Sequence, residues 1–353
     1  MNGMNVDGFL SNATIPPIFD PKNSLQIIGN KLSDFKEVEK NGKRFFLLGK
    51  GNFGYAEKME SRKNNTFYAI KKLRKDSRNF KENDFKRETQ NMIFLEHDNI
   101  IKFYGYFSDY EKIEKFNEIY KDKPDKQIKN QNYIEIFCLV LEFAPNGSLN
   151  DLYKKIKETN SGYFIPIEQE FVIKFMKQSL SALYYLGGKS ILHRDIQPDN
   201  ILLDKNYNIK ITDFGISALF YDENPENSGK DTKLFSHNTI IGRQDFVAPE
   251  VEKGEQYDLR CDTFGLGLTM LCLMSEIYPI TLNSLKISIA EKAIRSINIE
   301  KIDKKYEISL KKLVLKMADS NKENRPNSNQ ALKELQDIEM MIEIICHKIQ
   351  MFK

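Results

Sequence analysis

The residues of this sequence best suited to chemistry are two carboxylates and an amide close together in the chain. His193-Arg194-Asp195-Ile196-Gln197-Pro198-Asp199-Asn200 sets Asp195 five residues before Asn200. A carboxylate can accept the proton of a hydroxyl nucleophile, and an amide oxygen can take a hard cation. Thirteen residues later comes the second carboxylate, in Asp213-Phe214-Gly215. Upstream lies a glycine-rich run, Gly49-Lys50-Gly51-Asn52-Phe53-Gly54. Without a Cβ, glycine lets backbone amides come close to phosphate oxygens. Alone the run is weak, because any hairpin can carry glycines. Lys71 and Glu88 complete the set of charged residues whose setting asks for an explanation.

These groups need elements to hold them. The Asp195 stretch follows an amphipathic segment and precedes Ile201-Leu202-Leu203, so it reads as a loop between helix and strand. Phe45-Phe46-Leu47-Leu48 is strand-like and runs into the glycines; a second strand follows at Phe67–Leu73. The run is therefore a strand–loop–strand hairpin, whereas a dinucleotide fingerprint would open a helix. Phe85, Glu88, Met92 and Leu95 fall on one helical face. Burying Glu88 there alone costs several kcal/mol, which makes Lys71 its natural partner. The plainer alternative leaves Glu88 exposed at the edge of the stripe. Residues 109–132, rich in Lys, Asp, Glu and Asn, read as an insertion forming a solvated, partly disordered loop. Ile136–Leu141 is a buried strand, broken by Glu142-Phe143-Ala144-Pro145-Asn146-Gly147. Ser148 is a helix N-cap, and a longer helix runs from about Glu168 to Leu186. His97 is a turn histidine.

Taken together, H-R-D-x-x-P-x-N followed by D-F-G resembles the eukaryotic protein kinase family, of the Ser/Thr type. The resemblance implies an α+β, two-lobed fold: a small antiparallel sheet lobe with one helix and a larger, mainly helical lobe. It places an N-terminal extension at 1–41 and the kinase domain at 42–337. The small lobe spans about 42–141 and the large lobe about 145–337, with a C-terminal helical extension at 338–353. The implied activity is transfer of the γ-phosphoryl group of ATP, with Mg²⁺, to Ser or Thr hydroxyls of protein substrates. By resemblance Asp195 accepts the hydroxyl proton, and Asn200 and Asp213 hold the metal. Lys71, held by Glu88, reaches the α and β phosphates, and Gly49, Gly51 and Gly54 cover them. Backbone groups of Glu142 and Ala144 bond the adenine, with Ala56, Ala69 and Leu202 completing the nucleotide site. Ala56 replaces the usual Val, so the surface above the base is smaller.

Further landmarks follow from the same resemblance. Glu250 of Ala248-Pro249-Glu250 pairs with Arg325, and Asp262 holds the backbone of the catalytic loop. Phe264 stands where the family has Trp, and the chain has no Trp. Met92, Phe103, His193 and Phe214 occupy the positions of a side-chain column. Arg194 before Asp195 implies an activating phosphate, placed by an upstream kinase at Thr239, with Ser236 and Thr232 as alternatives. Two positions depart from the pattern. Gln197 replaces a Lys that contacts the transferred phosphoryl group, and Arg243 stands where Thr is usual after Gly242. Arg243 either supplies the missing charge or pairs elsewhere. Tyrosine kinases also lack this Lys but place an Arg where this chain has Asp199; Pro198 fits the Ser/Thr branch. A catalytically weak ATP-binding pseudokinase or scaffold is the rival reading, and a small-molecule kinase a weaker third.

Bulk properties agree with a globular protein. Of the 353 residues 41% are hydrophobic and 29% charged, and 53 basic against 50 acidic residues leave a net charge of +3. This near-balance argues for neither nucleic acid nor a membrane surface as a partner. Cys138, Cys261, Cys272 and Cys346 form no C-x-x-C pair, which points to a reducing compartment, cytoplasmic with the nucleus not excluded. The N-terminus lacks a basic patch before an apolar core, so no signal peptide is expected. The sequence leaves the protein substrate and the oligomeric state open.

Overall fold

The computed structural model describes residues 18–20, 23–42, 45–51, 54–75, 89, 92–123, 128, 132–163, 165–214, 218–219, 246–275 and 302–351. The chain divides into two compact units, one of Met1–Leu95 with Lys102–Phe143 and one of Glu96–Ile101 with Ala144–Lys353. The first carries an antiparallel sheet and the second is mainly helical, the α+β class expected from the sequence. No helix of the described residues is long and apolar enough to cross a membrane.

In the smaller unit β1 (Ile18–Asp20) and β2 (Asn23–Gly29) form a hairpin. A separate six-stranded antiparallel sheet contains β3 (Phe35–Glu37), β4 (Phe46–Lys50), β5 (Gly54–Ser61), β6 (Phe67–Arg74), β7 (Phe103–Lys112) and β8 (Tyr133–Glu142). Its order is β3-β5-β6-β8-β7, with β4 also paired to β5. Because β3 belongs to the sheet, the sheet begins within residues that the sequence reading left in the N-terminal extension. β6 is buried along most of its length, the pattern of a strand covered on both faces. Directly paired residues share a face. One face therefore carries Ala56, Ala69, Lys71, Leu139 and Leu141, and the other Tyr55, Glu57, Tyr68, Ile70, Lys72, Cys138 and Val140.

The second face is closed by segments without an obvious apolar run. Phe35 of β3 stacks on Phe107 with ring centroids 6.1 Å apart and meets Tyr68 edge-on at 6.3 Å. The stretch read as a solvated loop starts as strand and then forms helix α1 (Ile113–Ile119). This helix was not foreseen. A seven-residue helix is marginal by itself. Here Ile113, Phe116 and Ile119 are buried, and fully burying side chains of this kind contributes about 1.5–3 kcal/mol each. Asn117 clamps the returning chain, donating to the Ile128 carbonyl (2.9 Å) and accepting from its N–H (3.0 Å).

Under this cover lies a buried charge network. Lys72, 1% exposed, bonds Glu57 and lies 3.0 Å from Glu111. Lys115 of α1 reaches Glu57 (2.8 Å), Glu37 (2.5 Å) and Glu111 (3.6 Å), and the Tyr55 hydroxyl donates to Glu111. Burial alone would lower the Lys72 pKa, but the Glu111 and Glu57 carboxylates raise it above its ordinary value. Burial likewise works to raise Glu111, and Lys72, Lys115 and Tyr55 prevail and lower it. The Glu37, Glu57 and Glu111 carboxylates lie within 4.8 Å of one another, as ligands of a metal would. Two ammonium groups already occupy that role.

The larger unit contains α2 (Leu149–Thr159), α3 (Gln169–Gly188), the short strands β9 (Ile191–Leu192), β10 (Ile201–Leu203), β11 (Ile209–Ile211) and β12 (Ala218–Leu219), α4 (Pro249–Glu252), α5 (Arg260–Met274), α6 (Ile308–Met317) and α7 (Ser328–Met351). Ser148 caps α2 as expected, in a reciprocal box with Asp151. Every residue of α5 from Cys261 to Met274 is buried, as befits a central helix. α7 runs unbroken through residues 337 and 338, so the expected C-terminal extension continues the preceding helix. Ala331, Leu335 and Ile338 are buried apolar positions of α7, and Lys177 of α3 binds Glu339 at 2.6 Å.

Candidate active site

The best-defined polar constellation of the larger unit lies between β9 and β11. β10 and β11 pair with Ile201 opposite Ile211, and the Thr212 N–H donates to the Asn200 carbonyl at 3.0 Å. That register puts Asn200 and Asp213 at the same end of one hairpin, though thirteen residues separate them. Asp195 enters from the other side of the turn. Its Oδ1 accepts from Gln197 Nε2 (2.7 Å) and its Oδ2 from Asn200 Nδ2 (2.7 Å); Asn200 also donates to the Asp195 carbonyl (2.9 Å). Both carboxylate oxygens are thereby aimed by neutral amides. The Asn200 Oδ1 is not used in these bonds.

The loop is fixed from beneath. Asp262 of α5 accepts from the backbone N–H of His193 (2.8 Å) and of Arg194 (2.7 Å). Burial pushes the Asp262 carboxyl up, while the His193 ring and the two backbone bonds pull it back. α5 can come this near because Gly265 has no side chain: a Cβ there would lie 2.5 Å from the Ile196 carbonyl. Arg194 and Asp213 have φ of +65° and +69°, a left-handed conformation costly for residues with a Cβ. The bonds from Asp262 hold Arg194 there. His193 is fully buried, bonded to the Thr212 carbonyl at 2.9 Å and packed edge-on against Phe214 at 4.9 Å. It is thus a strut between the two loops. Met92 and Phe103 belong to the other unit.

Glu250 and Arg325 form a buried bidentate pair, Nη1–Oε1 2.7 Å and Nη2–Oε2 2.8 Å. The same guanidinium lies 4.8 Å over the Phe264 ring, so the position where the family has Trp still offers an aromatic face to a cation. Arg194 donates to the Tyr257 hydroxyl at 3.3 Å.

In the smaller unit Lys71 stands opposite Ala56 and Leu139, on the face that also carries Ala69 and Leu141. The neighbouring Lys72 points into the network on the opposite face. Of the three glycines, Gly54 is required by the fold, since a Cβ would lie 1.8 Å from the Lys72 carbonyl. At Gly49 a Cβ would meet nothing within 4 Å, and at Gly51 only the Gly54 carbonyl at 3.8 Å. Among the described residues, packing does not demand glycine at either position. Glu142 begins the exit from β8, its N–H donating to the Lys102 carbonyl (2.9 Å) and its side chain accepting from the Lys102 N–H (3.2 Å). Ala144, nearly buried, opens the larger unit. There Leu202 bridges to Ser148. Glu88, Gly215, Thr232, Ser236, Thr239, Gly242 and Arg243 lie outside the described residues.

A family model described as the protein kinase domain matches residues 43–335, and the chain belongs to that family. Among its relatives is a "Calcium-dependent protein kinase 5" of Plasmodium falciparum, 30% identical over 279 residues, 76% of this chain and 40% of the relative. An "Aurora kinase" of Yarrowia lipolytica is 29% identical over 225 residues, 63% of this chain and 49% of the relative. An "Aurora kinase" of Candida glabrata is 29% identical over 273 residues, 76% of this chain and 62% of the relative. The chain thus spans less than two thirds of the length of each.

The oxygen donors fit a magnesium ion. Asn200 Oδ1 and the Asp213 carboxylate are hard ligands at one end of a hairpin, few enough that phosphate oxygens and water complete the shell.

Proposed function

We propose that this chain transfers the γ-phosphoryl group of ATP, with Mg²⁺, to Ser or Thr hydroxyls of protein substrates. The observation that carries the reading is the Asp195 carboxylate, with both oxygens held at 2.7 Å by Gln197 and Asn200. Asp195 orients the substrate hydroxyl and takes its proton. The hydroxyl oxygen forms a bond to the γ-phosphorus as the bond to the bridging oxygen breaks, and ADP departs. Asn200 and Asp213 hold the magnesium ion, which when bound offsets phosphate charge. Lys71, steadied by Glu88, binds the α and β phosphates. Gly49, Gly51 and Gly54 let the loop lie close over them, and Ala56, Ala69, Glu142, Ala144 and Leu202 receive the base.

The rival reading is an ATP-binding scaffold with little catalysis, and it rests on Gln197. A Lys there would bring a cation to the transferred group, whereas Gln197 brings a neutral donor. Loss of one transition-state cation costs on the order of 10²-fold. Arg243 supplies the charge in our reading, so Arg243→Ala should cut turnover far more than ATP binding. Unchanged turnover would remove that compensation. Thr239 is proposed as the activating phosphorylation site.

The test is phosphate transfer from radiolabelled ATP and Mg²⁺ to the protein itself and to a generic basic protein, with the labelled residues mapped. Labelled Ser or Thr supports the kinase reading. Retained ATP binding without transfer favours the scaffold.

A further inference from the structure

The side chain of Tyr120, just past the end of α1, reaches the glycine-rich loop. Its hydroxyl lies 2.5 Å from the Gly54 carbonyl and 3.1 Å from that of Gly51. Both oxygens can only accept, so the phenol is the donor. The Gly51 N–H also bonds the Gly54 carbonyl, at 2.8 Å, closing the loop as a hairpin. A second tie runs from Lys50, whose ammonium bonds the Ile119 carbonyl (3.3 Å) and Asp122 (2.5 Å).

The anchor itself is firmly seated. Tyr120 is 1% exposed and stacks on Phe116 at 4.5 Å, within a cluster that includes Phe45 and Tyr55. Burial pushes its phenol up to about 12, so it stays a donor at any pH the protein meets. Glycine loops are normally free to flex, because Gly loses the most conformational entropy when ordered. A hydroxyl fixed to the sheet offsets part of that cost before any ligand arrives.

We infer that Tyr120, carried by the insertion after β7, is a positioning residue that presets the glycine-rich loop for the phosphates of a nucleotide. The inference rests on the nucleotide-binding reading above. Tyr120 touches no ligand; it acts through the loop it holds.

Tyr120→Phe keeps the ring and removes the donor. In the absence of nucleotide, the amides of residues 49–54 should exchange with deuterium faster than in the wild type, with the melting temperature little changed. The Kd of Mg-ATP and the KM for ATP should rise about three- to tenfold, the effect of one lost hydrogen bond. The KM for a peptide substrate, and kcat at saturating ATP, should stay within about twofold. Asp122→Asn, which weakens the exposed Lys50 tie, should give the same pattern at smaller size. Unchanged exchange in Tyr120→Phe overturns the anchoring, whatever the nucleotide does. Faster exchange with unaltered or tighter ATP binding overturns the positioning role. Failure of the wild type to bind Mg-ATP overturns the nucleotide reading itself, and the exchange result then stands apart as a fact about the loop.

Discussion

The catalytic loop of the larger unit and the glycine-rich loop of the smaller are each held by one side chain from a distant segment, with opposite polarity. Asp262 accepts from two backbone N–H groups, at His193 and Arg194. Tyr120 donates toward two backbone carbonyls, at Gly51 and Gly54. In the first case the anchor sits in a helix buried from Cys261 to Met274 and stabilises a left-handed residue. In the second it sits on a short helix that depends on its own cover over the sheet. In the proposed function the first loop carries the reacting carboxylate, whose position tolerates little error. The other, in the same reading, must still admit and release a nucleotide, which a single hydroxyl permits.

A parallel contrast separates two adjacent residues, Lys71 and Lys72, on opposite faces of β6. The largest effect we expect comes from here. Lys72→Met leaves Glu57 and Glu111 buried with Lys115 as the remaining cation, and should cost about 3–5 kcal/mol of stability in denaturant unfolding. Lys71→Met should cost clearly less stability than Lys72→Met and abolish transfer. If both variants unfold alike, the division of labour between the two faces is wrong. Next in size, Asp262→Ala orphans the buried His193 N–H, at about 1–3 kcal/mol, and the half-buried Arg194 N–H, and should depress turnover as well. Turnover preserved in a folded Asp262→Ala protein would show that the loop needs no such anchor. Gln197→Ala removes one of the amide donors to Asp195, and kcat should fall about tenfold with KM for ATP unchanged. An unaltered kcat would reduce Gln197 to a space filler.

The smallest effect is one of pH. Glu111 has its folded pKa lowered, so its stabilising contribution is complete above its unfolded value of about 4.3 and is lost as pH falls through the folded one. Unfolding midpoints measured from pH 6 down to pH 3.5 should decline, and Glu111→Gln should decline less steeply. Identical slopes would mean that the network does not titrate in this range.

The catalytic loop was legible because its chemistry is contiguous: Asp195, Gln197 and Asn200 sit within six residues, and the apolar runs beside them define the strands. The sequence did not disclose Asp262 by pattern, since nothing local says that a carboxylate in an apolar helix faces a backbone turn. That expectation came from resemblance. The insertion was misread because Lys, Asp and Asn dominate it. Its signal was there, however: Ile113, Phe116 and Tyr120 recur at helical spacing. Lys72 and Glu57 could have been suspected by the argument applied to Glu88, because each lies on a strand face otherwise apolar. What no spacing reveals is that charges from β5, β6, β7 and α1 converge, since that depends on strand order.

The most direct test of the central claim is kcat for Asp195→Asn beside the wild type, at saturating Mg-ATP and protein substrate, with Mg-ATP affinity measured on both. Asn keeps the shape of the side chain and loses its capacity to take a proton. We predict kcat lower by about 10³-fold with Mg-ATP affinity unchanged. Transfer by Asp195→Asn at the wild-type rate would contradict the account, because Gln197 and Asn200 would then be holding a carboxylate that the reaction does not use.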